Sequence, residues 1–293
     1  MTAERPFAEL MRLTPTGDCT YEASIDRHWS IGPKVHGGVM LALCAEAASA
    51  AVAEGFAKRD GAGDPGGSPG EGPAPRPMVV SADFLSAPDP GVVVLRVTPR
   101  KLGRRVSLAD VELSQGERTA VRAVVTIAAL DDKAPLHATV PGLASLPPVP
   151  TADAIDVSTH PAGKMINLAK RCEVRWDPKS AGFLDSQARD EDDDAPLRMR
   201  LWVRPKGEDP GVLFALMSGD VSAPVTLHLG RFGWAPTIQL TTYLRGDPAP
   251  GWLRVESSST LVGSTWFEED HVVLDESGNV VVQSRQLAMV PDA

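Results

Sequence analysis

The chain has 293 residues, 43% of them hydrophobic and 23% charged, with a formal net charge of −9. That length accommodates one large domain or two of ordinary size, and the composition is that of a soluble globular protein. The acidic balance argues against a nucleic-acid partner, which needs a basic face, but leaves room for a local site that takes an anionic small molecule.

Glu4, Arg5 and Glu9 stand where a signal peptide would need an apolar core. Cys19, Cys44 and Cys172 are odd in number and have no metal-ligand spacing, so a reducing compartment is the simpler reading. Residues 20–27 alternate weakly, as a first strand would. After Trp29, the turn-rich IGPKVHGG leads into a long helix over Val39–Lys58, mostly Ala, Leu, Met and Glu, the strongest helix formers. It is apolar nearly all round and should be buried. Glu46 and Glu54 interrupt it, which reads as too polar to span a bilayer. The expectation is a cytoplasmic protein with no membrane span.

Residues 60–77 are dominated by Gly and Pro and read as a mobile loop. Four strands should follow, Met78–Leu85, Val92–Thr98, Val106–Ser114 and Thr119–Leu130, separated by the turn formers APDPG, PRKLGR and SQGE. Residues 1–132 thus form a first domain, a helix followed by an antiparallel meander. A Pro- and Ala-rich linker (133–160) precedes a second domain (161–293).

That second domain opens with strands Cys172–Trp176 and Leu197–Arg204; in the latter Leu197, Met199, Leu201 and Val203 alternate with Arg198, Arg200, Trp202 and Arg204. The run Asp190–Asp194 between them reads as a solvated loop, because consecutive carboxylates cannot all face one ion. Asp209-Pro-Gly then starts a helix through Val212–Met217. Leu213, Leu216 and Met217 make an apolar stripe whose next position is Asp220. A carboxylate facing the core is costly unless it is hydrogen-bonded or its proton affinity is shifted, and a helix C-terminus disfavours it further.

The two halves repeat one another. GVMLALCAEAASA (38–50) aligns with GVLFALMSGDVSA (211–223), and PMVVSADFLSAPDPGVVVLRV (77–97) with PTIQLTTYLRGDPAPGWLRV (236–255). The offset is 173 residues at the helix and 159 at the first meander strand, so the first half carries 14 extra residues between them, where the Gly/Pro-rich loop lies. LSQGERTAVRAVVTIAAL (113–130) likewise resembles LDESGNVVVQSRQLAMV (274–290). Under this alignment Ala47 stands opposite Asp220 and Met78 opposite Thr237, and the counterpart of Gln286 falls in the apolar run Val124–Ala128. The polar set is therefore not needed to build the fold.

A buried helix followed by a meander, present twice, with PTIQ and a closing SRQLAM, resembles the acyl-CoA thioesterase II family of double-hotdog enzymes. The resemblance implies an α+β fold, a tandem double hotdog in which each half is a central helix wrapped by an antiparallel sheet. It also implies an acyl-CoA substrate in fatty-acid and lipid metabolism, no cofactor beyond the CoA of the substrate, and pairing into a homodimer. Asp220 in MSGD, Thr237 in PTIQ and Gln286 in SRQLA match the residues that hold the attacking water in that family. The chemistry fits: a carboxylate can deprotonate water, while a hydroxyl and a carboxamide orient it without competing charge. Each also has a plainer reading: β-propensity for Thr237, a backbone bond for Gln286, a turn cap for Asp220.

His36, Gly37 and Gly38 precede the first helix, where free N–H groups could bind an oxyanion or phosphate, or where glycine could simply permit close packing of helix on sheet. His36 on its own reads as a surface histidine. Arg100, Arg104 and Arg105, with Lys101, cluster in a turn that could hold CoA phosphates; the Arg198/Arg200/Arg204 face is a second candidate. The six tryptophans read as core and seam packing. Two alternatives remain on the same fold: a non-catalytic acyl-CoA or acyl-chain binder, and an enoyl-CoA hydratase or dehydratase, which would need an Asp–His pair. Asp132 and His137 have a D-x4-H spacing, but beside Pro135 in the linker it reads as coincidence.

Overall fold

An Ala-rich helix has little side-chain bulk, so a sheet can close round it at short range, and that is how the first half is organised. The computed structural model describes residues 4–61, 73–131, 133–184 and 197–292. The first half contains α1 (Pro6–Leu10), β1 (Thr14–Gly17), β2 (Thr20–Ile25), the short pair β3 (Ser30–Ile31) and β4 (Lys34–Val35), and α2 (Gly37–Gly61). Its meander is β5 (Arg76–Phe84), β6 (Gly91–Lys101), β7 (Val106–Gln115) and β8 (Arg118–Ala128). The second half contains β9 (Ile155–Asp156), β10 (Cys172–Trp176), β11 (Leu197–Pro205) and α3 (Val212–Ser218). It closes with β12 (Thr237–Leu244), β13 (Leu253–Ser259), β14 (Trp266–Leu274) and β15 (Val280–Met289). Arg76 and Pro77, assigned to the loop by composition, begin β5; residues 62–72, Asp132 and the run Asp190–Asp194 lie outside the described residues.

Thirteen strands form one antiparallel sheet in the order β1-β2-β6-β7-β8-β5-β12-β15-β14-β13-β11-β10-β9. Read outward from the β5–β12 junction, the two halves repeat the same sequence of strands, so a pseudo-twofold axis passes between β5 and β12. The pair Ser81–Thr241 sits there, with Oγ and Oγ1 2.9 Å apart.

This pairing corrects the sequence alignment by one residue. With Ser81 equivalent to Thr241, Val80 and Ala82 match Leu240 and Thr242, all four buried. Both halves then place a β-bulge at the same point, between Pro77 and Val79 and between Thr237 and Gln239. Thr237 therefore corresponds to Pro77 rather than Met78. In a sheet with one buried face a one-residue slip would exchange inside and outside, so burial fixes the choice.

By length and composition Gly37–Arg59 would qualify as a membrane span, Glu46 and Glu54 notwithstanding. What identifies it as a core helix is its burial: Val39, Leu41 to Ala45, Ala47 and Ala48 are fully enclosed, with the helix packed between the first-half sheet and α3. Lys58 and Arg59 lie in its last turn, where the helix dipole favours cations.

α3 is much shorter. Ser218 bonds back to the carbonyl of Phe214 (2.8 Å), the chain leaves the helix at Gly219, and Pro224 bars its resumption. Asp220 therefore lies in the turn beyond the helix and not on its stripe, so its counterpart by alignment, Ala47, is in a different local conformation. The linker does more than connect: Leu143 and Leu146 cover the outer face of β11, where Trp202 donates from Nε1 to the carbonyl of Pro147 (2.8 Å). Trp29, Trp176 and Trp202 are core residues, whereas Trp234 and Trp266 are half exposed.

Candidate functional site

β14 reads WFEEDHVVL, and its pleat turns Phe267, Glu269, His271 and Val273 to the core. Two of these four are titratable, and both are 1% exposed. On the adjacent β15, Ser284 and Gln286 face the same way, opposite His271 and Glu269 respectively, and β12 adds Thr242 and Leu240 to those two rows.

Thr237 joins them because of the bulge. Strict alternation from Leu240 and Thr242 would turn residue 238 inward and Thr237 outward; the extra residue reverses this. Thr237 then donates from Oγ1 to Gln286 Oε1 at 2.6 Å. The Gln286 carboxamide in turn donates from Nε2 to Glu269 Oε2, and Glu269 Oε1 accepts the backbone N–H of Val225 at 2.7 Å. His271 Nε2 meets Ser222 Oγ at 2.9 Å, and Ser284 donates to the carbonyl of Gly219 at 2.5 Å.

The pseudo-twofold relation provides an internal control. In the first half β7 pairs Ala109 with Val125 and Val111 with Ala123 on β8, and Ala82 and Pro77 complete the rows on β5. These correspond to Glu269, Gln286, His271, Ser284, Thr242 and Thr237. Each of these six polar positions is apolar in the first half. The same architecture closes with alanine and valine, so the buried polar chain is a cost that folding does not require.

Asp220 approaches from the other side. Its side chain is 8% exposed, and Oδ2 accepts the backbone N–H of Gly38 at 2.6 Å, so a second-half carboxylate caps the first-half helix α2. His36 Nε2 lies 3.0 Å from the Asp220 carbonyl oxygen and 3.7 Å from Oδ2. The unfavourable C-terminal end of α3 is thus offset by the favourable N-terminal end of a 25-residue helix. His36 is buried, not a surface residue. The glycines permit close packing, but of helix end on helix end: a Cβ on Gly37 would stand 2.7 Å from Asp220 Oδ2, and one on Gly38 would stand 2.6 Å from the Met217 carbonyl oxygen.

Burial pushes Asp220 above the ordinary carboxylate range, against the lowering influence of His36 and of the Gly38 N–H. Burial likewise pushes Glu269 up to about 7; its two hydrogen bonds oppose this, and the charges of Asp220 and Glu268 add to it. His271 is pushed down to about 4 by burial and is neutral at pH 7. Among the described residues no direct hydrogen bond joins Asp220 to Thr237 or Gln286; its coupling to that group is electrostatic, through Glu269.

These shifts predict a pH-dependent stability. A carboxyl raised on folding contributes stability that is complete below its unfolded value and is lost as pH rises through the folded one. For Glu269 that window runs from about 4.5 to about 7. His271 acts oppositely, contributing stability above about 6.5 that is lost as pH falls toward 4. The two offset each other at mildly acidic pH. Replacing Glu269 by Gln should therefore improve the melting temperature relative to wild type as pH rises from 5 to 8, by an amount equivalent to ~2 kcal/mol. A constant difference across that range would refute the assignment.

Arg100, Arg104 and Arg105 are not brought to this cluster. They lie in and beside the β6–β7 hairpin, whose Leu102 packs at Gly55 near the far end of α2, ~25 Å along the helix from Gly38. Arg100 is paired with Asp110 at 2.5 Å; on the second candidate face Arg200 pairs with Glu256 and Arg204 with Glu173. His137 is exposed in the linker.

Comparison with known proteins settles the family. Residues 25–128 match the family model of the acyl-CoA thioesterase N-terminal domain, and residues 142–290 match that of the acyl-CoA thioesterase C-terminal domain. The chain belongs to the acyl-CoA thioesterase family. An uncharacterised protein of Mycobacterium tuberculosis is 44% identical over 285 residues, 92% of this chain and 91% of the relative. A candidate thioesterase II from Thermobifida fusca superposes with a TM-score of 0.79 at 24% identity, covering 98% of both chains. A hot dog fold protein of unknown function from Alicyclobacillus acidocaldarius gives 0.73 at 16% identity, again over 98% of both chains. An acyl-CoA thioesterase II from Mycobacterium marinum gives 0.68 at 12% identity, over 98% of this chain and 97% of that one. These structures share the tandem hotdog fold of this thioesterase family member.

Glu269, His271 and Ser222 do not stand out in the sequence. The available signal is the period-two placement of Glu269 and His271 between Phe267 and Val273, which puts two titratable groups in an apolar row.

Proposed function

We propose that the protein hydrolyses acyl-CoA to a free acid and CoA, with Asp220 as general base and Thr237 and Gln286 orienting the water. The observation that carries this reading is the one-sided polar chain: half-buried Thr237 and buried Gln286 and Glu269 are hydrogen-bonded in a row where the other half has Pro77, Val125 and Ala109. Thr237 donates its hydroxyl hydrogen bond to Gln286 Oε1, so its oxygen keeps lone pairs that can accept from a water. The second N–H of the Gln286 carboxamide can donate to that same water.

Asp220 takes a proton as the water oxygen attacks the thioester carbonyl carbon. The tetrahedral intermediate then collapses, the C–S bond breaks, and the thiolate of CoA takes the proton back. A carboxyl raised by burial is a stronger base than one in water, and the α2 N-terminus keeps its ionised form accessible. The same helix end favours negative charge on the developing oxyanion.

The test is thiol release from acyl-CoAs of graded chain length, with acid and CoA quantified together. Hydrolysis gives both in equal amounts. Saturable binding without thiol would establish the non-catalytic binder, and loss of an enoyl substrate without thiol would establish the hydratase.

A further inference from the structure

We infer that Glu269 is a positioning residue for the hydrolytic water, because its ionised carboxylate, held between the Val225 N–H and the Gln286 carboxamide, decides which way that carboxamide faces. The inference rests on the hydrolase reading above.

A primary carboxamide has one accepting and one donating end, and its neighbours choose between two orientations. Val225 N–H is a fixed backbone donor and occupies Glu269 Oε1 at 2.7 Å. Glu269 Oε2 is left to face Gln286. As a carboxylate it can only accept, so it selects Nε2, and Oε1 is turned to Thr237. Thr237 must then donate to Gln286, and its lone pairs are free for water.

If Oε2 carries a proton, the logic inverts. Glu269 becomes a donor toward Gln286, the carboxamide turns over, and its NH2 meets Thr237. The hydroxyl then accepts from Gln286, and its proton points where the water's proton should be. The orientation of two residues is thus set by one proton on a third.

The surroundings of Glu269 make that proton exchangeable near neutrality. Gln286 faces it from β15, Val225 from the 3-10 turn Val225–Leu229, neutral His271 lies 3.9 Å away on its own strand, and Asp220 and Glu268 contribute repulsion. The burial that raises Glu269 to about 7 also holds the carboxamide in a dry setting where a mismatched donor pair is expensive. In the first half the equivalent pair is Ala109 and Val125, so neither residue has a structural duty that the fold demands.

Glu269→Gln separates this role from a structural one. The introduced carboxamide has one acceptor, which Val225 N–H claims; its NH2 faces Gln286 and imposes the turned-over orientation at every pH. Thiol release should be measured from pH 5 to 9 for wild type, E269Q, Gln286→Leu and the double variant, together with side-chain amide NMR of Gln286, assigned by its loss in Q286L. We expect kcat to fall about 10-fold or more in E269Q with KM changed by less than about threefold. The double variant should be no slower than Q286L, since Glu269 acts only through Gln286. On its acid side the wild-type rate should depend on two ionisations and that of E269Q on one. The Gln286 amide resonances should titrate near pH 7 in wild type and stay fixed in E269Q.

A kcat for E269Q within twofold of wild type, or a double variant slowed by the product of the two single effects, overturns the inference. So does a Gln286 amide that ignores pH in wild type. If the amide titrates but wild type releases no thiol from any acyl-CoA, the coupling stands and the hydrolase reading fails.

Discussion

Asp220→Asn should lower kcat for thiol release by about 10²-fold or more while leaving the fold and its melting temperature intact. Asparagine keeps an oxygen to accept the Gly38 N–H, so the cap on α2 survives. What it loses is the ability to take a proton from water. The buried ionisable group disappears with it, so the variant should be at least as stable as wild type at pH 8, where the raised carboxyl of Asp220 weighs most against folding. Lost turnover with retained stability and a near-normal KM assigns Asp220 to the chemistry. Asp220→Ala serves less well, because it strands the Gly38 N–H at a cost of about 1–3 kcal/mol. An unchanged rate in D220N removes Asp220 from the mechanism.

Gly38→Ala should damage stability and turnover together. Its added carbon would sit 2.6 Å from the Met217 carbonyl oxygen and 3.1 Å from Asp220 Cβ. The first obstacle is backbone, so the tip of α2 and the end of α3 must separate. That overpacking costs about 1–3 kcal/mol, or ~5 °C in melting temperature for a chain of this size. The displacement also draws the Gly38 N–H away from Asp220, and misplacement on this scale lowers turnover by about 10-fold or more. Calorimetry and the thiol assay on one preparation check both halves of the prediction. A variant with wild-type stability and rate would show that the two helix ends do not need this approach.

The duplication is readable in the sequence because helix, strand order and insertion agree, and the sheet repeats about its β5–β12 axis accordingly. The register of that repeat is not readable to the residue. A bulge adds a residue without any change in local composition, so alignment sets Met78 opposite Thr237 where the pleat places Pro77. Asp220 is conspicuous as a carboxylate beside an apolar run, but the end of α3 at Gly219 and the capping of a helix tip 182 residues away depend on tertiary packing. His36 looks like a surface histidine for the same reason: its partner is the Asp220 backbone. Glu269 lies in an acidic triplet, EED, that looks like solvated surface until its alternation with Phe267 and Val273 is followed.

The central claim is that water attacks the thioester directly while Asp220 only moves protons. A single turnover with enzyme in excess over acyl-CoA, run in ¹⁸O-labelled water and followed by mass spectrometry of acid and protein, tests this most directly. Direct attack predicts one ¹⁸O atom in the released acid and no acyl adduct on the enzyme at any time. An acyl group captured on Asp220, or ¹⁸O retained in its carboxylate after turnover, would contradict it.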